Sequence, residues 1–173
     1  MHTRHLRLAV NVSARQFRHP NFVVQIQQAL SSNLINPELL KLELTESLVL
    51  DNINDTIVKM HALREIGVRF SLDDFGTGYS SFAYLTQLPL DQLKIDRSFV
   101  HNIGVKSTDA IIVQTIIGMA HNLGIEVIAE GVETEAQRAF LERHGCPAFQ
   151  GYLFSKPMPI EELDVLVRQA CLV

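Results

Sequence analysis

The 173-residue sequence contains no tryptophan, only two cysteines, and no hydrophobic run as long as a membrane span. Cys146 and Cys171 form no CxxC pair, and the seven histidines lack the spacing of a zinc site. A transmembrane helix needs about 18 or more consecutive apolar residues, and the first residues lack the apolar segment of a signal peptide. We therefore expect two structural thiols in a reducing compartment. We also expect a cytoplasmic location without direct membrane insertion, although the chain could be the cytoplasmic part of a membrane-bound protein.

An excess of positive charge is also missing. The chain has 15 Lys and Arg against 19 Asp and Glu, which gives a formal net charge of -4, and its basic residues are scattered. A protein that binds a nucleic-acid polymer concentrates basic residues on one face, so we expect no DNA or RNA polymer as a partner. A hydrophobic fraction of 47% over 173 residues predicts one globular domain with its own core.

Short apolar stretches alternate with helical patterns along the whole chain. The strands are expected within LRLAVNV, LLKLELTE, VRFSLDDFG, DQLKIDRSFV, IEVIAEGVE and AFQGYLF. Such a series of βα units predicts an α/β fold with parallel strands and crossover helices. Gly67, Gly124 and Gly145 each end a helical pattern, where a left-handed C-cap suits glycine. Thr134 and Gln137 have the spacing of a capping box.

The strand patterns help to choose between an open doubly wound sheet and a (β/α)8 TIM-type barrel. In LKLEL the leucines alternate with Lys41 and Glu43, and in QLKID Leu93 and Ile95 alternate with polar residues such as Lys94. Successive strand residues face opposite sides, so each strand has one apolar face and one polar face. A doubly wound sheet is covered on both faces, and its strands are nearly continuously hydrophobic. The alternation therefore favours a barrel whose polar face lines the lumen.

Polar residues recur near the C-terminal ends of these strands, on the inward phase. They are Asn11, Glu43, Asp73 with Asp74, Lys94 with Asp96, Glu130, and Gln150. Successive positions are about one βα unit apart, so the side chains should meet at one mouth of the barrel, where active sites of such barrels are built. Any one of these acids alone is better explained as a solvated or capping residue. The whole series, in one phase and at one end, favours a functional site.

The chemistry of this set predicts a site for hard divalent cations. Four crowded carboxylates, from Glu43, Asp73, Asp74 and Glu130, would repel one another unless cations neutralise them. Oxygen ligands without Cys or His suit Mg²⁺, Mn²⁺ or Ca²⁺ better than zinc. Two cations about 3.5–4 Å apart would create a hydroxide nucleophile and stabilise the leaving oxygen in phosphodiester cleavage. Lys94 would orient the attacking water or neutralise charge that develops on the phosphate.

Six longer motifs occur in order along the chain: VNVSARQF, LELTES, SLDDFGTGYSS, LKIDRSFV, VIAEGVET and QGYLFSKPMP. Together they resemble the EAL-domain family of cyclic di-GMP phosphodiesterases, from Leu8 to the end of the chain. The resemblance implies a modified TIM barrel that converts the bacterial messenger cyclic di-GMP to linear pGpG. It also implies a two-metal site for Mg²⁺ or Mn²⁺, inhibition by Ca²⁺, and a homodimer formed through the loop and helix after Asp74.

The same resemblance assigns roles to individual residues. First-metal ligands are implied at Asn11, Glu43 and Asp73, and residues around the second metal at Asp74 and Glu130. The implied catalytic residues are Lys94, which acts on the nucleophilic water, together with Glu130 and Asp74.

Four further residues match supporting positions of the family. Gln150 and Glu133 match residues near the substrate and the site, and Asp96 matches the acid of the KID motif, with a supporting role. Glu46 matches a glutamate that anchors the glycine-containing loop after Asp74.

The sequence departs from the family in one respect, because it contains no Glu-Ala-Leu motif and opens on what matches the third barrel strand. A complete TIM barrel has eight strands and about 250 residues, whereas six βα units are visible in this sequence. We therefore interpret residues 1–173 as a partial EAL domain that runs from the third barrel strand to the C-terminal helix. This interpretation predicts upstream sensory or GGDEF-type domains in the parent protein, and weakened activity for the chain by itself.

Two other functions stay open from the sequence alone. The first is a catalytically inactive module that binds cyclic di-GMP or another protein. The second is a phosphoacceptor receiver domain, which also places an acidic pair and a lysine around Mg²⁺.

Overall fold

A computed structural model describes residues 6–77 and 82–170, and its strands form one six-stranded sheet. The strands are β1 (Leu8–Asn11), β2 (Leu40–Thr45), β3 (Arg69–Phe75), β4 (Gln92–Ile95), β5 (Glu126–Glu130) and β6 (Ala148–Gln150). The helices are α1 (Ala14–Phe17), α2 (Phe22–Ser32), α3 (Glu46–Asp51), α4 (Ile53–Arg64), α5 (Phe82–Leu85), α6 (Arg97–His101), α7 (Ser107–Asn122), α8 (Glu135–Arg143) and α9 (Ile160–Ala170). A short 3₁₀ helix, Pro37–Leu39, precedes β2.

The spatial order of the strands is their order in the chain, and every neighbouring pair is parallel. A doubly wound sheet changes direction at a switch point in its strand order, and this sheet does not. Its six strands curl into part of a barrel with helices in the connections. The prediction of an incomplete TIM-barrel-type fold with six βα units is therefore confirmed.

The two phases of each strand lie in different environments, as the alternation predicts. One phase packs against the helices and forms the core, which includes Leu42, Leu44, Phe70, Leu72, Leu93 and Ile95. The other phase is polar although it is also buried: Lys41 Nζ donates a hydrogen bond to Gln92 Oε1 over 3.0 Å, and Ser71 Oγ donates to the same oxygen over 3.5 Å. The lumen is thus lined by polar side chains that satisfy one another.

The predicted helix ends and caps are present. Gly67, Gly124 and Gly145 follow helices with φ values of 103°, 69° and 88°, which is the left-handed region that favours glycine. The Thr134 hydroxyl accepts a hydrogen bond from the Gln137 amide, and the Gln137 side chain accepts one from the Thr134 amide. These caps fix where α8 begins after β5.

Cys146 is a buried free thiol, as predicted, and burial raises its pKa to about 11. Cys171 lies outside the described residues. Within the described ranges, none of the helices combines the length and the apolar character that crossing a membrane would require.

Two glycines allow close packing where β5 and β6 end. The Val132 amide donates to the Gln150 carbonyl, and the Leu153 amide donates to the Val132 carbonyl. A Cβ atom at Gly151 would lie 2.1 Å from the Val132 carbonyl oxygen, and one at Gly131 would lie 2.6 Å from a neighbouring side-chain Cβ. Real Cβ atoms do not approach so closely, so the contact between the strand ends requires glycine at Gly151, and Gly131 makes room for the side chain of Arg97 on α6.

The substitution Gly151→Ala should lower the free energy of unfolding by about 2–3 kcal/mol, because backbone atoms must move to admit the methyl group. Gly118→Ala is the matched control, since Gly118 lies inside α7 with no atom within 4 Å of the new Cβ. Alanine at that helical position should instead stabilise the fold by about 0.5–1 kcal/mol. Urea titration followed by circular dichroism measures both changes. Equal stabilities of the two variants would contradict the packing argument.

Candidate active site

The residues predicted at strand ends lie on the same side of the sheet at its C-terminal edge. Asn11 ends β1, is exposed, and stands in register with Glu43 of β2. Asp73 of β3 stands in register with Thr45, and Glu130 of β5 is in register with Gln150 of β6. Parallel pairing therefore gathers the predicted side chains at the mouth, as the regular spacing of the βα units indicated.

Lys94 is the centre of the site. Its Nζ atom lies 2.9 Å from Glu43 Oε2, 3.1 Å from Asp73 Oδ2 and 2.6 Å from Glu130 Oε1. The four side chains are mostly buried, with exposed fractions of 6% for Lys94 and 11%, 13% and 17% for the three acids. We call this group the carboxylate cluster (Glu43, Asp73, Lys94 and Glu130). Three carboxylates around one ammonium leave an excess of negative charge in a site that has little access to water.

The pKa shifts in the cluster reflect this imbalance. Burial alone would lower the pKa of Lys94, but hydrogen bonds to Glu130 and Glu43 and the charge of Asp73 outweigh burial and raise it. Burial also raises the pKa of the Glu130 carboxyl, although the contact with Lys94 opposes this shift. Lys94 therefore stays charged, and burial disfavours the ionised form of Glu130.

A bulge in β3 separates the two adjacent aspartates. The register advances from Leu72 to Phe75 while β4 advances only from Leu93 to Ile95, so β3 carries one extra residue at this point. Asp74 takes a left-handed conformation with φ of 55°. In a regular strand Asp74 would share the core phase of Leu72, and the bulge instead exposes Asp74 and returns Phe75 to the core.

Asp74 therefore lies at the rim and Asp73 in the lumen. The Asp73 Oδ1 atom accepts a hydrogen bond from the Asp74 amide over 3.0 Å, which stabilises the bulge. Although Asp74 is exposed, partial desolvation by its surroundings raises the pKa of its carboxyl, and the nearby charges of Asp73 and Asp96 add to the shift. The Asp96 carboxylate accepts hydrogen bonds from the Ser98 amide and hydroxyl and caps α6. Asp96 thus caps α6, and its supporting role in the site stays a prediction.

Glu130 is bound by Gln150 of β6 as well as by Lys94. Gln150 Nε2 donates a hydrogen bond to Glu130 Oε1 over 2.7 Å, so an oxygen of the cluster is bound by both an amide and the ammonium of Lys94. Glu133 is exposed, and its backbone amide donates to Gln137 Oε1 at the start of α8. Glu133, Glu130 and Gln150 all line one open cleft beside the cluster.

Glu46 lies under the loop that follows β3. It is only 5% exposed, and its Oε2 atom accepts a hydrogen bond from the Gly76 amide over 3.2 Å. Glu46 is the first residue of α3, where the helix dipole favours a carboxylate. The contact joins α3 to the first glycine of the loop, although residues 78–81 of the loop lie outside the described residues.

In residues 6–77 and 82–170 no group of three His, Cys, Asp or Glu side chains has the arrangement that holds a metal ion. The carboxylates of the cluster instead converge on Lys94. Their oxygen atoms are nevertheless the ligands that Mg²⁺ and Mn²⁺ prefer. The donor set therefore fits such cations chemically, provided that the oxygen atoms turn from the ammonium toward the ion.

The sequence did not indicate three features of the mouth. They are the bulge at Asp74, the glycine contacts of Gly131 and Gly151, and the presence of Arg97 in the cleft. Of the three, only Arg97 could have been found from the sequence, since it follows the strand end in KIDR, beside residues that were already candidates.

Comparison with known proteins agrees with this geometry. The family model described as "EAL domain" matches residues 1–157. Cyclic di-GMP phosphodiesterase NbdA of Pseudomonas aeruginosa is 47% identical over 163 residues, which are 94% of this chain and 21% of that protein. Bifunctional diguanylate cyclase/cyclic di-GMP phosphodiesterase MucR of the same organism is 46% identical over 156 residues, or 90% of this chain and 23% of that protein. The chain thus spans about a fifth of the length of these curated relatives.

Solved structures show the same architecture. The MucR phosphodiesterase of P. aeruginosa in complex with cyclic di-GMP matches with a TM-score of 0.88 and 45% identity, over 91% of this chain and 64% of that one. The EAL domain of Mycobacterium smegmatis DcpA matches with a TM-score of 0.90 and 40% identity, over 96% and 75% of the two chains. Klebsiella pneumoniae BlrP1 with manganese and cyclic di-GMP matches with a TM-score of 0.80 and 34% identity, over 87% and 39%.

The family model covers most of the chain, and relatives above 40% identity span nearly all of it. The order of the strands and the gathering of their polar ends agree with the same assignment. The receiver-domain alternative is therefore wrong, and the chain belongs to the EAL domain family.

Proposed function

We propose that this chain carries the catalytic side chains of a metal-dependent phosphodiesterase that hydrolyses cyclic di-GMP to linear pGpG. The observation that carries the proposal is the carboxylate cluster, in which three acids share one ammonium and retain excess negative charge. The relatives support the substrate, since NbdA and MucR are both described as cyclic di-GMP phosphodiesterases.

The residues that would hold the cations are Asn11, Glu43, Asp73, Asp74 and Glu130. Two formal charges of the cluster are uncompensated, since three carboxylates face one ammonium, and a divalent cation would neutralise them. The bulge supports a second ion, because it directs Asp74 away from the lumen position of Asp73. Mg²⁺ or Mn²⁺ is the proposed cofactor, and the BlrP1 complex with manganese supports Mn²⁺.

When bound, the cations supply an activated water and neutralise charge on the phosphate. The water adds to phosphorus, the bond from phosphorus to the 3′ oxygen breaks, and a proton passes to that oxygen, which yields the linear dinucleotide. Once the carboxylate oxygens turn from Lys94 toward the cations, the ammonium has an N–H group with which to donate a hydrogen bond that orients the attacking water. Gln150 keeps the Glu130 carboxylate oriented through its 2.7 Å hydrogen bond.

Glu46 and the loop after Asp74 are the proposed link to a second copy of the chain. The buried hydrogen bond from Gly76 to Glu46 supports a coupling between the loop and the lumen, since Asp73 and Gly76 are three residues apart. In a homodimer formed through this loop, the contact between the two copies would then depend on the conformation of the site. Analytical ultracentrifugation with and without Mn²⁺ measures whether such a dimer forms.

The substitution Asp73→Asn should reduce hydrolysis of cyclic di-GMP in Mn²⁺ by more than about 100-fold, because it removes a charge that binds the cation. Asp51→Asn is a suitable control, since Asp51 forms an exposed salt bridge with Arg18 on the surface. Chromatography of the products over time measures pGpG. Unchanged turnover in Asp73→Asn would refute the metal assignment.

The same assay, combined with calorimetry of cyclic di-GMP binding, separates the proposal from the inactive-module alternative. With Ca²⁺ in place of Mn²⁺, we expect binding of cyclic di-GMP without product, since Ca²⁺ prefers a looser and larger coordination shell. Binding without product in Mn²⁺ as well would favour a module that recognises the dinucleotide and does not cleave it.

The substitution Lys94→Met should tighten Mn²⁺ binding at least about tenfold, or about 1.4 kcal/mol, because the ammonium that competes for the carboxylates is removed. Lys41→Met is the matched control, since Lys41 is a buried lysine of the same lumen that donates to Gln92. Calorimetric titration with Mn²⁺ measures both. Equal affinities of Lys94→Met and the unchanged chain would contradict competition between lysine and metal.

A further inference from the structure

An open cleft of about 550 Å³ adjoins the carboxylate cluster. Its near wall is formed by the ends of β5 and β6, and its far wall by the segment before α9 and by α9 itself. Its lining residues include Arg97, Glu130, Glu133, Gln150, Tyr152 and Lys156. A cleft of this size is large enough for a small-molecule ligand, and one end of it touches the site where bond cleavage is proposed.

Arg97 is held at the wall nearest the cluster. It is the first residue of α6, directly after the capping Asp96. Gly131 provides the space, because a Cβ there would lie 2.6 Å from Arg97 Cβ and 3.4 Å from its Cα. Gly131 directly follows Glu130, so the base of the Arg97 side chain packs one residue away from a member of the carboxylate cluster.

The guanidinium of Arg97 has no hydrogen bond or salt bridge to any side chain that the structure describes (residues 6–77 and 84–167), and the Arg97 side chain is exposed. The acids nearest to it are engaged elsewhere. Asp96 accepts from Ser98, and Glu130 binds Lys94 and Gln150. The charge of Arg97 acts on Asp74 only through space, and it is one of the weaker influences on the pKa of Asp74.

The other cations of the mouth differ from Arg97 in this respect. Lys94 is surrounded by three carboxylates, and Lys156 lies with its Nζ atom 5.5 Å from the centre of the Tyr152 ring. Arg97 therefore combines three properties. Its Cα and Cβ atoms are held by packing against Gly131, its guanidinium has unoccupied N–H donors, and it lies beside the carboxylate cluster. A guanidinium in this situation is suited to bind a phosphate through two parallel hydrogen bonds.

We propose that Arg97 binds a phosphate of the cyclic dinucleotide in this cleft. The inference rests on the proposed function, because that function requires a phosphodiester next to Glu130 and Lys94. A guanidinium can also bind the O6 and N7 edge of guanine. The phosphate is the better partner for Arg97, since its side chain is anchored next to Glu130, where the phosphate must lie for cleavage. Arg97 also offsets the repulsion between an anionic ligand and the acids Glu130 and Glu133.

The test compares binding of cyclic di-GMP to four forms of the full chain in Ca²⁺, measured by calorimetry. They are the unchanged chain, Arg97→Met, Arg97→Lys and Arg143→Met. Arg143 is the matched control, because it is an exposed arginine at the C-terminal end of α8, away from the cleft. Arg97→Met should bind about 10- to 100-fold more weakly, as expected for loss of hydrogen bonds from a charged donor.

The conservative variant tests the geometry of the contact. Arg97→Lys keeps the charge and loses the fork, so it should bind with an affinity between those of Arg97→Met and the unchanged chain. Arg143→Met should bind like the unchanged chain. Thermal unfolding checks that all variants are folded, which is expected because Arg97 is exposed.

Three other outcomes would overturn the inference in different ways. If the unchanged chain does not bind cyclic di-GMP, the proposed function and this inference both fail. If the unchanged chain binds and Arg97→Met binds equally well, the function stands and the role of Arg97 is wrong. If Arg97→Met weakens binding of guanosine, which has no phosphate, by the same factor as binding of cyclic di-GMP, the partner of Arg97 is the base.

Discussion

One buried ammonium group facing three carboxylates determines how the mouth of this partial barrel is organised. Desolvation of a charge is costly unless partners compensate it, and Lys94 gains its compensation from acids on β2, β3 and β5. The same contacts hold the three strand ends at a fixed separation on the lumen side. Because the acids outnumber the ammonium, further positive charge nearby would stabilise the arrangement. The proposed cation binding would thus follow from the packing that forms the site, where the donor oxygens are already close together.

The bulge in β3 lets Phe75 pack in the hydrophobic core while Asp73 and Asp74 both lie at the mouth of the barrel. A regular strand would point Asp73 and Phe75 into the lumen and would bury Asp74 in the hydrophobic core. The extra residue releases Asp74 to the rim at a φ of 55°, which aspartate tolerates better than most residues. Phe75 then packs in the core at 4% exposure. Two neighbouring carboxylates can thus face different directions without any loss of apolar burial.

The period of the strands and the spacing of their polar ends predicted most of the fold and most members of the site. Both rest on local rules, since alternation follows from the pleat and convergence from parallel pairing. The sequence could not indicate which acids contact Lys94, because LKIDR specifies the strand position and not the distances across the lumen. It also could not indicate the close packing of Gly151 on Val132, which joins two strands 20 residues apart. Such contacts depend on the curvature of the sheet, and no local pattern records that curvature.

Three cations at successive depths of the barrel illustrate how environment divides their roles. Lys41 lies one layer below Lys94, and its main partner is the neutral amide of Gln92, so burial lowers its pKa. Lys94 has charged partners that more than offset burial, and its pKa is raised. Arg97, at the rim, has no such partner among the described residues and stays accessible. A neutral partner suits a structural lysine, and charged partners suit a fixed ammonium at the proposed reaction centre. A free guanidinium at the entrance is the cation of the three that an incoming anion can reach without breaking an existing contact.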